Sequence, residues 1–189
     1  MRQSSTSVTD ASLVEQARSG STAAFEELVR RHFRAAYAVA LAILGNQMDA
    51  EDVCHDGFLK ALNRLDDCRD SDKFAAWLLQ IVRNRARNYR AYRKVRDAIP
   101  LEFTATTSKS DSAREAEQGE LREFLQRALA KLTEVQREVV LLHDMEGWKH
   151  REIALALGIS EVSARQHLFV ARKQLRESLG PQVVKEYLP

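Results

Sequence analysis

The segment Gly147–Leu175 constrains the fold of this chain more than any other stretch, because it has the pattern of two helices joined by a tight corner. Gly158 stands where a residue with positive φ ends the first helix at little steric cost. Ser160 is a suitable N-cap for the second helix. The second helix has one apolar stripe, formed by Ala164, Leu168, Ala171 and Leu175. This pattern predicts a helix-turn-helix, whose second helix can lie in the major groove of DNA.

The outer face of that second helix carries side chains suited to nucleic acid. The polar and basic residues on this face are Arg165, Gln166, Arg172 and Lys173. Arginine and glutamine donate hydrogen bonds to base edges and phosphates. A helical hairpin with a solvated basic face is the alternative interpretation. DNA binding is favoured because small Ala154, Gly158 and the capping Ser160 fall together at the required offsets.

Length and composition indicate a globular protein with room for one or two domains. The chain has 189 residues, of which 44% are hydrophobic and 30% charged, and its net charge is +2. No apolar run approaches the roughly 20 residues that span a membrane. The first ten residues are polar and have no signal-peptide core. We therefore expect a cytoplasmic protein without membrane insertion.

The sequence contains no recognisable catalytic or metal-binding motif. Cys54 and Cys68 have neither the spacing of a zinc site nor the number for a disulfide framework. A structural or incidental role is expected for them, and a redox switch is the alternative. The five histidines lack HxxH and HExxH spacing, and GxSxG, P-loop and GxGxxG patterns are missing. We expect no catalytic residue, no metal, no cofactor and no enzymatic activity.

A first helical domain is predicted over residues 21–96, after an extension over residues 1–20. Asp10 is the expected N-cap of a short helix within the extension, and Ser21 that of a long helix ending at Leu44. The following helix, which Asp49 is expected to cap, presents acids outward at Asp49, Glu51, Asp52 and Asp56. Such a cluster is either helix capping or a docking face for a basic partner, and the residues alone leave both open.

The helix that begins near Lys73 changes composition after Val82. The stretch Arg83–Arg96 holds seven basic residues and no acid. Its candidate nucleic-acid contacts are Arg83, Asn84, Arg87, Asn88, Arg90 and Tyr92. A basic stripe attracts phosphates through counterion release, and interleaved amides and aromatic rings suit unstacked bases. Nucleic-acid binding is favoured over a merely solvated helix, which would normally mix both signs of charge.

Residues 97–119 separate two domains in this interpretation. They are rich in serine and threonine, carry a net negative charge and lack a helical period, as is typical of a flexible linker. The second domain is expected over residues 120–180, with a capping box at Thr133–Gln136 before the helix-turn-helix. Gly180-Pro181 is expected to end the fold and to leave residues 181–189 as a tail. The predicted fold class is all-α, with two small helical bundles joined by a flexible linker.

The motifs occur in an order that resembles the bacterial sigma-70 family. They are an Asp-Ala-Glu-Asp helix (Asp49–Asp52), a Phe-x-x-Trp-Leu-x-x-Ile-x-Arg-Asn helix (Phe74–Asn84), a basic run, a linker and a Leu-Thr-x-x-Gln-Arg-Glu-Val lead-in (Leu132–Val139) to the helix-turn-helix. The resemblance covers about residues 21–96 and 120–178. The short, two-domain length is similar to the extracytoplasmic-function (ECF) subgroup.

The resemblance implies a promoter-specificity subunit of RNA polymerase. The acidic helix would dock against the clamp helices of the β′ subunit through Asp49, Glu51, Asp52 and Asp56. The second domain would bind the β flap, and the acidic linker would enter the product channel. The resemblance further implies an anti-sigma factor as partner and a chain that is monomeric apart from these complexes.

The resemblance also assigns DNA contacts. Contacts to the melted −10 element are expected from Arg69, Ser71, Arg83, Asn84, Arg87, Asn88, Arg90 and Tyr92. Contacts to the −35 duplex are expected from Ser160, Ser163, Arg165, Gln166, Arg172 and Lys173. The chain departs from the family at Phe169-Val170, where basic residues are frequent.

Two other functions remain open from the residues. A stand-alone regulator would bind duplex DNA through the helix-turn-helix, typically as a dimer on two half-sites. The basic helix Arg83–Arg96 argues against it, because such a regulator has no need of a second nucleic-acid surface. An interaction adaptor that no longer touches DNA is the third hypothesis, and Phe169-Val170 keeps it open.

Overall fold

Every regular element in the described part of this computed structural model, residues 8–97 and 124–187, is helical. The first bundle contains α1 (Asp10–Arg18), α2 (Thr22–Leu44), α3 (Gln47–Asn63) and α4 (Phe74–Asp97). The second contains α5 (124–130), α6 (Glu134–Val140), α7 (His150–Leu157) and α8 (Glu161–Tyr187). The all-α fold class is confirmed. The predicted linker lies outside the described residues, except for Asp97 at the end of α4.

Short helical turns follow two of these helices, α3 and α6. Two 3-10 turns, Leu65–Asp67 and Ser71–Lys73, lie between α3 and α4. A π turn, Leu141–Met145, follows α6. None of the helices among the described residues is long and apolar enough to cross a membrane.

The caps of the first bundle agree with the sequence at α2 and differ at α1 and α3. The Ser21 hydroxyl accepts a hydrogen bond from the Ala24 N–H at 3.3 Å, as predicted. The prediction of Asp10 as a cap was wrong, because Thr9 caps α1 and the Asp10 carboxylate contacts His32 and Arg31 instead. The prediction of Asp49 was also wrong, because α3 begins earlier and the Asn46 side chain accepts from the Asp49 N–H. Both errors arise where neighbouring polar residues compete for one cap.

Helices α3 and α4 approach each other closely at Gly57. A Cβ atom at this position would lie 2.6 Å from Cγ2 of Val82 on α4, well inside van der Waals contact. Gly57 therefore sets the distance between the two helices on which the acidic and basic faces lie.

The second bundle forms the helix-turn-helix that the sequence predicts. Thr133 and Gln136 make the reciprocal capping box of α6. Gly158 ends α7 with φ of 68°, and the Ser160 hydroxyl accepts from the Ser163 N–H at the start of α8. The predicted stripe of α8 is buried throughout: Ala164, Leu168, Ala171 and Leu175.

Helix α8 continues to Tyr187, past the Gly180-Pro181 pair where the sequence analysis ended it. The prediction was wrong: the φ of proline is close to the helical value, so the backbone continues through Pro181, at the cost of one hydrogen-bond donor and of crowding against the carbonyl four residues earlier.

The two bundles pack directly against each other. Helix α4 contacts α7, and α2 contacts both α6 and the π turn. Buried residues of both bundles join in one hydrophobic cluster. The sequence analysis predicted two bundles joined by a flexible linker and did not predict this interface. The interface affects the predicted DNA contacts because some of the residues involved lie within it.

Candidate polymerase and nucleic-acid interfaces

The outer face of α3 combines acids with exposed apolar side chains. Glu51, Asp52 and Asp56 are exposed, as predicted for a docking face. Met48 and Leu59 are 70% and 61% exposed, and they follow the same side of the helix as Asp52 at i, i+4 and i+11 spacing. Contiguous exposed apolar area marks interaction surfaces, and Met48 and Leu59 add apolar area beside these acids. The sequence analysis missed these two residues, although large apolar side chains on a face that also carries acids could have indicated an interaction surface.

Two of the four predicted acids also hold α4 against α3. Asp49 is only 15% exposed and accepts a hydrogen bond from the Tyr89 hydroxyl at 2.8 Å, and it forms an ion pair with Arg93. Asp56 forms an ion pair with Arg85. Asp49 therefore orients the basic helix, a role that its position in an acidic cluster did not reveal.

The basic helix α4 divides its predicted DNA contacts between two sides. Asn84, Asn88 and Tyr92 are exposed to solvent, with Tyr92 at 65%. Arg83, Arg87 and Arg90 instead face the second bundle and form ion pairs with carboxylates of α6: Glu138 with Arg83, and Glu134 with Arg87 and Arg90. The structure therefore brings the three amide and aromatic groups together on one surface and places the three arginines in the interface between the bundles.

Arg83 and Glu138 form a buried ion pair between the bundles. The Arg83 guanidinium donates from Nε and Nη2 to the Glu138 carboxylate at 2.7 and 2.9 Å, and from Nη1 to the carbonyl of Leu157 at 2.9 Å. Glu138 has no exposed side-chain surface, and Arg83 has 12%. Burial raises the pKa of Glu138 above its usual value, and the hydrogen bonds from Arg83 oppose this shift.

Glu134 accepts from two arginines at the edge of the same interface. Arg87 Nε lies 2.8 Å from one carboxylate oxygen, and Arg90 Nη1 lies 2.7 Å from the other. Burial alone would raise the pKa of Glu134, but the hydrogen bonds from both arginines outweigh it and the pKa is lowered. The carboxylate is therefore held in its ionised form between two cations.

Arg137 strengthens the interface from the second bundle. Its Nε donates to the carbonyl of Ala42 in α2 at 2.7 Å, and its Nη1 donates to the carbonyl of Leu132 at 2.7 Å. The sequence analysis assigned no role to Arg137, Glu134 or Glu138. For Glu138 a signal was present, since it lies three residues after Val135 and four before Leu142, at the spacing of one helical face.

The loop between α3 and α4, residues 64–73, carries the two remaining −10 candidates. Arg69 is exposed and makes no hydrogen bond or ion pair within the described ranges. The Ser71 hydroxyl, by contrast, donates to the Glu15 carboxylate of α1 at 2.7 Å. Arg69 is thus available to a ligand, whereas the Ser71 side chain is engaged within the protein.

The recognition helix α8 presents a narrower set of groups than the sequence predicts. Arg165, Gln166 and Lys173 are exposed, and Arg165 has an i, i+4 ion pair with Glu161. The hydroxyls of Ser160 and Ser163 are hydrogen-bonded to each other at the cap, 2.8 Å apart.

Arg172 is engaged within the second bundle. It makes a two-point ion pair with Asp144, which is 4% exposed. This contact ties the recognition helix to the π turn that precedes the helix-turn-helix.

Two apolar residues share the exposed face of the recognition helix. Val162 and Phe169 are 69% and 70% exposed, at i and i+7 around Arg165 and Gln166. Both lie on the side away from the buried stripe, so α8 offers a mixed apolar, amide and cationic surface. Within the described residues no group of three potential metal ligands comes together.

The chain is similar in sequence to curated RNA polymerase sigma factors. Residues 28–96 match the family described as Sigma-70 region 2, and residues 122–175 match that described as Sigma-70, region 4. The chain is 34% identical to RNA polymerase sigma factor NccH of Alcaligenes xylosoxydans xylosoxydans, covering 88% of this chain and 92% of that protein. It is 32% identical to RNA polymerase sigma factor CarQ of Myxococcus xanthus, covering 88% of this chain and 95% of the other.

Solved structures show the same fold. The structure of CnrH in complex with the cytosolic domain of CnrY has a TM-score of 0.65 and 31% identity, covering 90% of this chain and 96% of that chain. The sigma factor RpoE in complex with the anti-sigma factor NepR from Bartonella quintana has a TM-score of 0.60 and 25% identity, covering 82% and 96% of the respective chains.

A basic helix in one bundle and a helix-turn-helix in the other, together with these matches, indicate a DNA-binding transcription initiation factor. The chain belongs to the sigma-70 family of RNA polymerase sigma factors, in its extracytoplasmic-function subgroup. The resemblance drawn from the sequence motifs is thereby confirmed. Sigma factors bind core RNA polymerase and promoter DNA, and the family is one of non-enzymatic initiation factors.

Proposed function

We propose that this chain is a promoter-specificity subunit that joins core RNA polymerase in the cytoplasm, recognises −10 and −35 elements and helps to open the DNA, without catalysing a reaction itself. The observation that carries the proposal is the pairing of two surfaces in one chain. A helix with exposed amides and an aromatic ring suits single strands, and a recognition helix suits the major groove.

Core polymerase binds the outer face of α3 in this proposal. The acids Glu51, Asp52 and Asp56 supply charge complementarity to a basic partner, and Met48 and Leu59 supply the apolar contact. Asp49 contributes by fixing α4, because its carboxylate is already bonded to Tyr89.

The melted −10 strand binds along α4 and the loop 64–73. Asn84, Asn88 and Tyr92 offer hydrogen bonds and a stacking surface to unpaired bases, and Arg69 offers a cation. Arg83, Arg87 and Arg90 reach phosphates only after they leave Glu134 and Glu138, since one guanidinium fork cannot serve both partners with the same donors. In this proposal the arrangement with these ion pairs closed precedes promoter engagement.

The −35 duplex is read by the exposed face of α8. Arg165 and Gln166 donate to base edges, and Lys173 binds phosphate. Phe169 and Val162 add apolar contacts of the kind that thymine methyl groups accept. Ser160 and Ser163 position the helix through their cap, and Arg172 ties it to the π turn.

An anti-sigma factor is the proposed regulator of this chain. Two structural relatives are solved as complexes, CnrH with the cytosolic domain of CnrY and RpoE with the anti-sigma factor NepR. Outside such complexes the chain acts as a monomer in this proposal.

The test is run-off transcription by core RNA polymerase, with and without the chain, on a library of promoter fragments. Asp52→Arg should abolish stimulation by preventing holoenzyme formation, whereas Glu26→Arg, an equal charge change on the exposed side of α2, should not. Arg165→Ala should reduce transcription on the order of tenfold or more through the −35 element, as loss of a base contact does. Its matched control is Arg30→Ala, which removes an exposed arginine that also pairs with a glutamate of its own helix.

The outcomes separate the proposal from the stand-alone regulator. No stimulation of transcription, combined with duplex binding by the chain alone, would refute the sigma-factor mechanism and leave a regulator. Stimulation that survives Arg165→Ala on every promoter would refute the assignment of α8 as the −35 reader.

A further inference from the structure

The last residue of α1 holds the loop between α3 and α4 from the side. Arg18 Nη2 donates to the main-chain carbonyl of Leu65 at 3.1 Å and to that of Cys68. Its Nη1 lies 3.3 Å from the Ser71 hydroxyl and 2.5 Å from the Glu15 carboxylate. Because Ser71 also donates to Glu15, the side chains of Arg18, Glu15 and Ser71 are all bonded to one another, and Asp66 lies 3.9 Å from Arg18 Nε.

These contacts hold the loop at Leu65, Cys68 and Ser71, on both sides of the exposed Arg69 and Asp70. The side chains of Leu65 and Cys68 are 5% and 1% exposed, so the carbonyls that Arg18 binds belong to residues anchored in the core. Arg69 and Asp70, which come next, are exposed and project from the anchored segment. The first 3-10 turn already bonds the Cys68 N–H to the Leu65 carbonyl, so the guanidinium adds a second donor to that carbonyl and gives the Cys68 carbonyl a partner.

Arginine suits this position better than lysine. A planar guanidinium presents several donors in a fixed fork and can bind two carbonyls and a hydroxyl at the same time. An ammonium group keeps the charge but is a single point donor on a flexible stem. The side chain of Arg18 is 22% exposed, so most of it is covered by the loop that it holds.

We propose that Arg18 is a positioning residue for promoter opening, which acts through the loop 64–73 and does not itself touch DNA. The inference rests on the proposed function, in which the melted −10 strand binds along α4 and this loop, and it takes the loop to receive one base of that strand. Arg18 fixes the loop before DNA binds. Binding of the base therefore does not have to include the entropic cost of ordering the loop. Glu15 assists by orienting both the guanidinium and the Ser71 hydroxyl.

The experiment measures how much the binding of holoenzyme to promoter DNA weakens when a single −10 base is removed. Fork-junction DNA with a duplex −35 element and a single-stranded −10 element is prepared intact and with one abasic site at each −10 position in turn. For the wild-type chain, the abasic site at the captured position should weaken binding on the order of tenfold, the usual range for a stacked base. The abasic ratio is the affinity for intact DNA divided by the affinity for DNA with the abasic site at the captured position. For Arg18→Ala and Arg18→Lys this ratio should fall to nearly one.

The control variant is Arg30→Lys, which alters an exposed arginine that pairs with a glutamate three residues away, as Arg18 does. It should leave the abasic ratio at its wild-type value. Binding of each variant to core polymerase and to −35 duplex is measured in parallel, because a merely structural loss would lower all affinities while the ratio stayed the same. Arg18→Lys, which keeps the charge and most of the packing, provides the readout if Arg18→Ala does not fold.

Each outcome has one meaning. An abasic ratio near one for the variants, with core and duplex binding intact, supports the positioning role. A wild-type ratio that persists in Arg18→Lys and Arg18→Ala overturns it while the proposed function stands. Failure of wild-type holoenzyme to distinguish any abasic position overturns the assignment of the loop itself, and with it the role of Arg18.

Discussion

Glu138→Gln removes one charge from the centre of the interface between the bundles while the side chain keeps its size. The glutamine can accept only part of what Arg83 donates, and its own N–H group faces a donor. The Arg83 guanidinium would keep the carbonyl of Leu157 as partner and remain only 12% exposed. Breaking one partner of a buried ion pair costs about 3–5 kcal/mol, and the residual exposure of Arg83 places this case near 3 kcal/mol.

This cost should appear as separation of the bundles and not as unfolding of either one. Arg83 lies on α4 and Glu138 on α6, so moving the bundles apart hydrates the unpaired guanidinium, while it also exposes the apolar residues through which the bundles pack. A change of about 3 kcal/mol shifts the ratio of docked to separated molecules by about 100-fold. The other contacts between the bundles, including those of Glu134 and Arg137, determine the ratio of docked to separated molecules in the wild-type protein.

Energy transfer between dyes on Asn63→Cys and Glu177→Cys, both exposed positions on different bundles, reports the separation. Transfer efficiency should fall in Glu138→Gln and stay unchanged in Glu161→Gln, which makes the same substitution at a half-exposed ion pair within α8. Unchanged transfer in Glu138→Gln, or loss of the fold of the second bundle alone, would refute this reasoning.

Three further predictions follow from other contacts. Glu134→Gln should raise affinity for single-stranded −10 DNA several-fold in a titration, because two surface ion pairs of about 0.2–1 kcal/mol each no longer compete with phosphates. Gly57→Ala should lower the free energy of unfolding by about 1–3 kcal/mol through overpacking, and Val82→Ala should offset part of that loss in a double variant during urea denaturation. Burial raises the pKa of Cys54 to about 12, so native protein at pH 8 should react with a thiol reagent far more slowly than unfolded protein does.

Local patterns predicted the helices because the physics that selects them is local. The stripe of α8 and the capping box of α6 depend on residues at most a few turns apart, and both occur as predicted. The caps of α1 and α3 went to Thr9 and Asn46 because the first turn of each helix starts one to three residues earlier than its acidic residue suggests. Those starting points depend on how each helix packs.

The contacts between bundles could not be predicted in the same way. Arg83 and Glu138 are 55 residues apart, and no periodicity links positions on either side of a linker. A basic stripe predicts an anionic partner, but it does not distinguish a phosphate from a carboxylate of the same chain. The contacts of Arg18 with the loop could not be predicted either, because they include main-chain carbonyls, which every residue possesses.

The ion pairs between α4 and α6 also affect the order in which the chain is made. Helix α4 leaves the ribosome before Glu134 and Glu138 have been translated, and the roughly fifty intervening residues take about 2 to 10 s to add. During that interval the first bundle can already fold, and its arginines have no carboxylates of α6 to bind. We therefore expect the nascent chain to bind RNA more strongly than the finished protein does, until synthesis of the second bundle supplies those carboxylates.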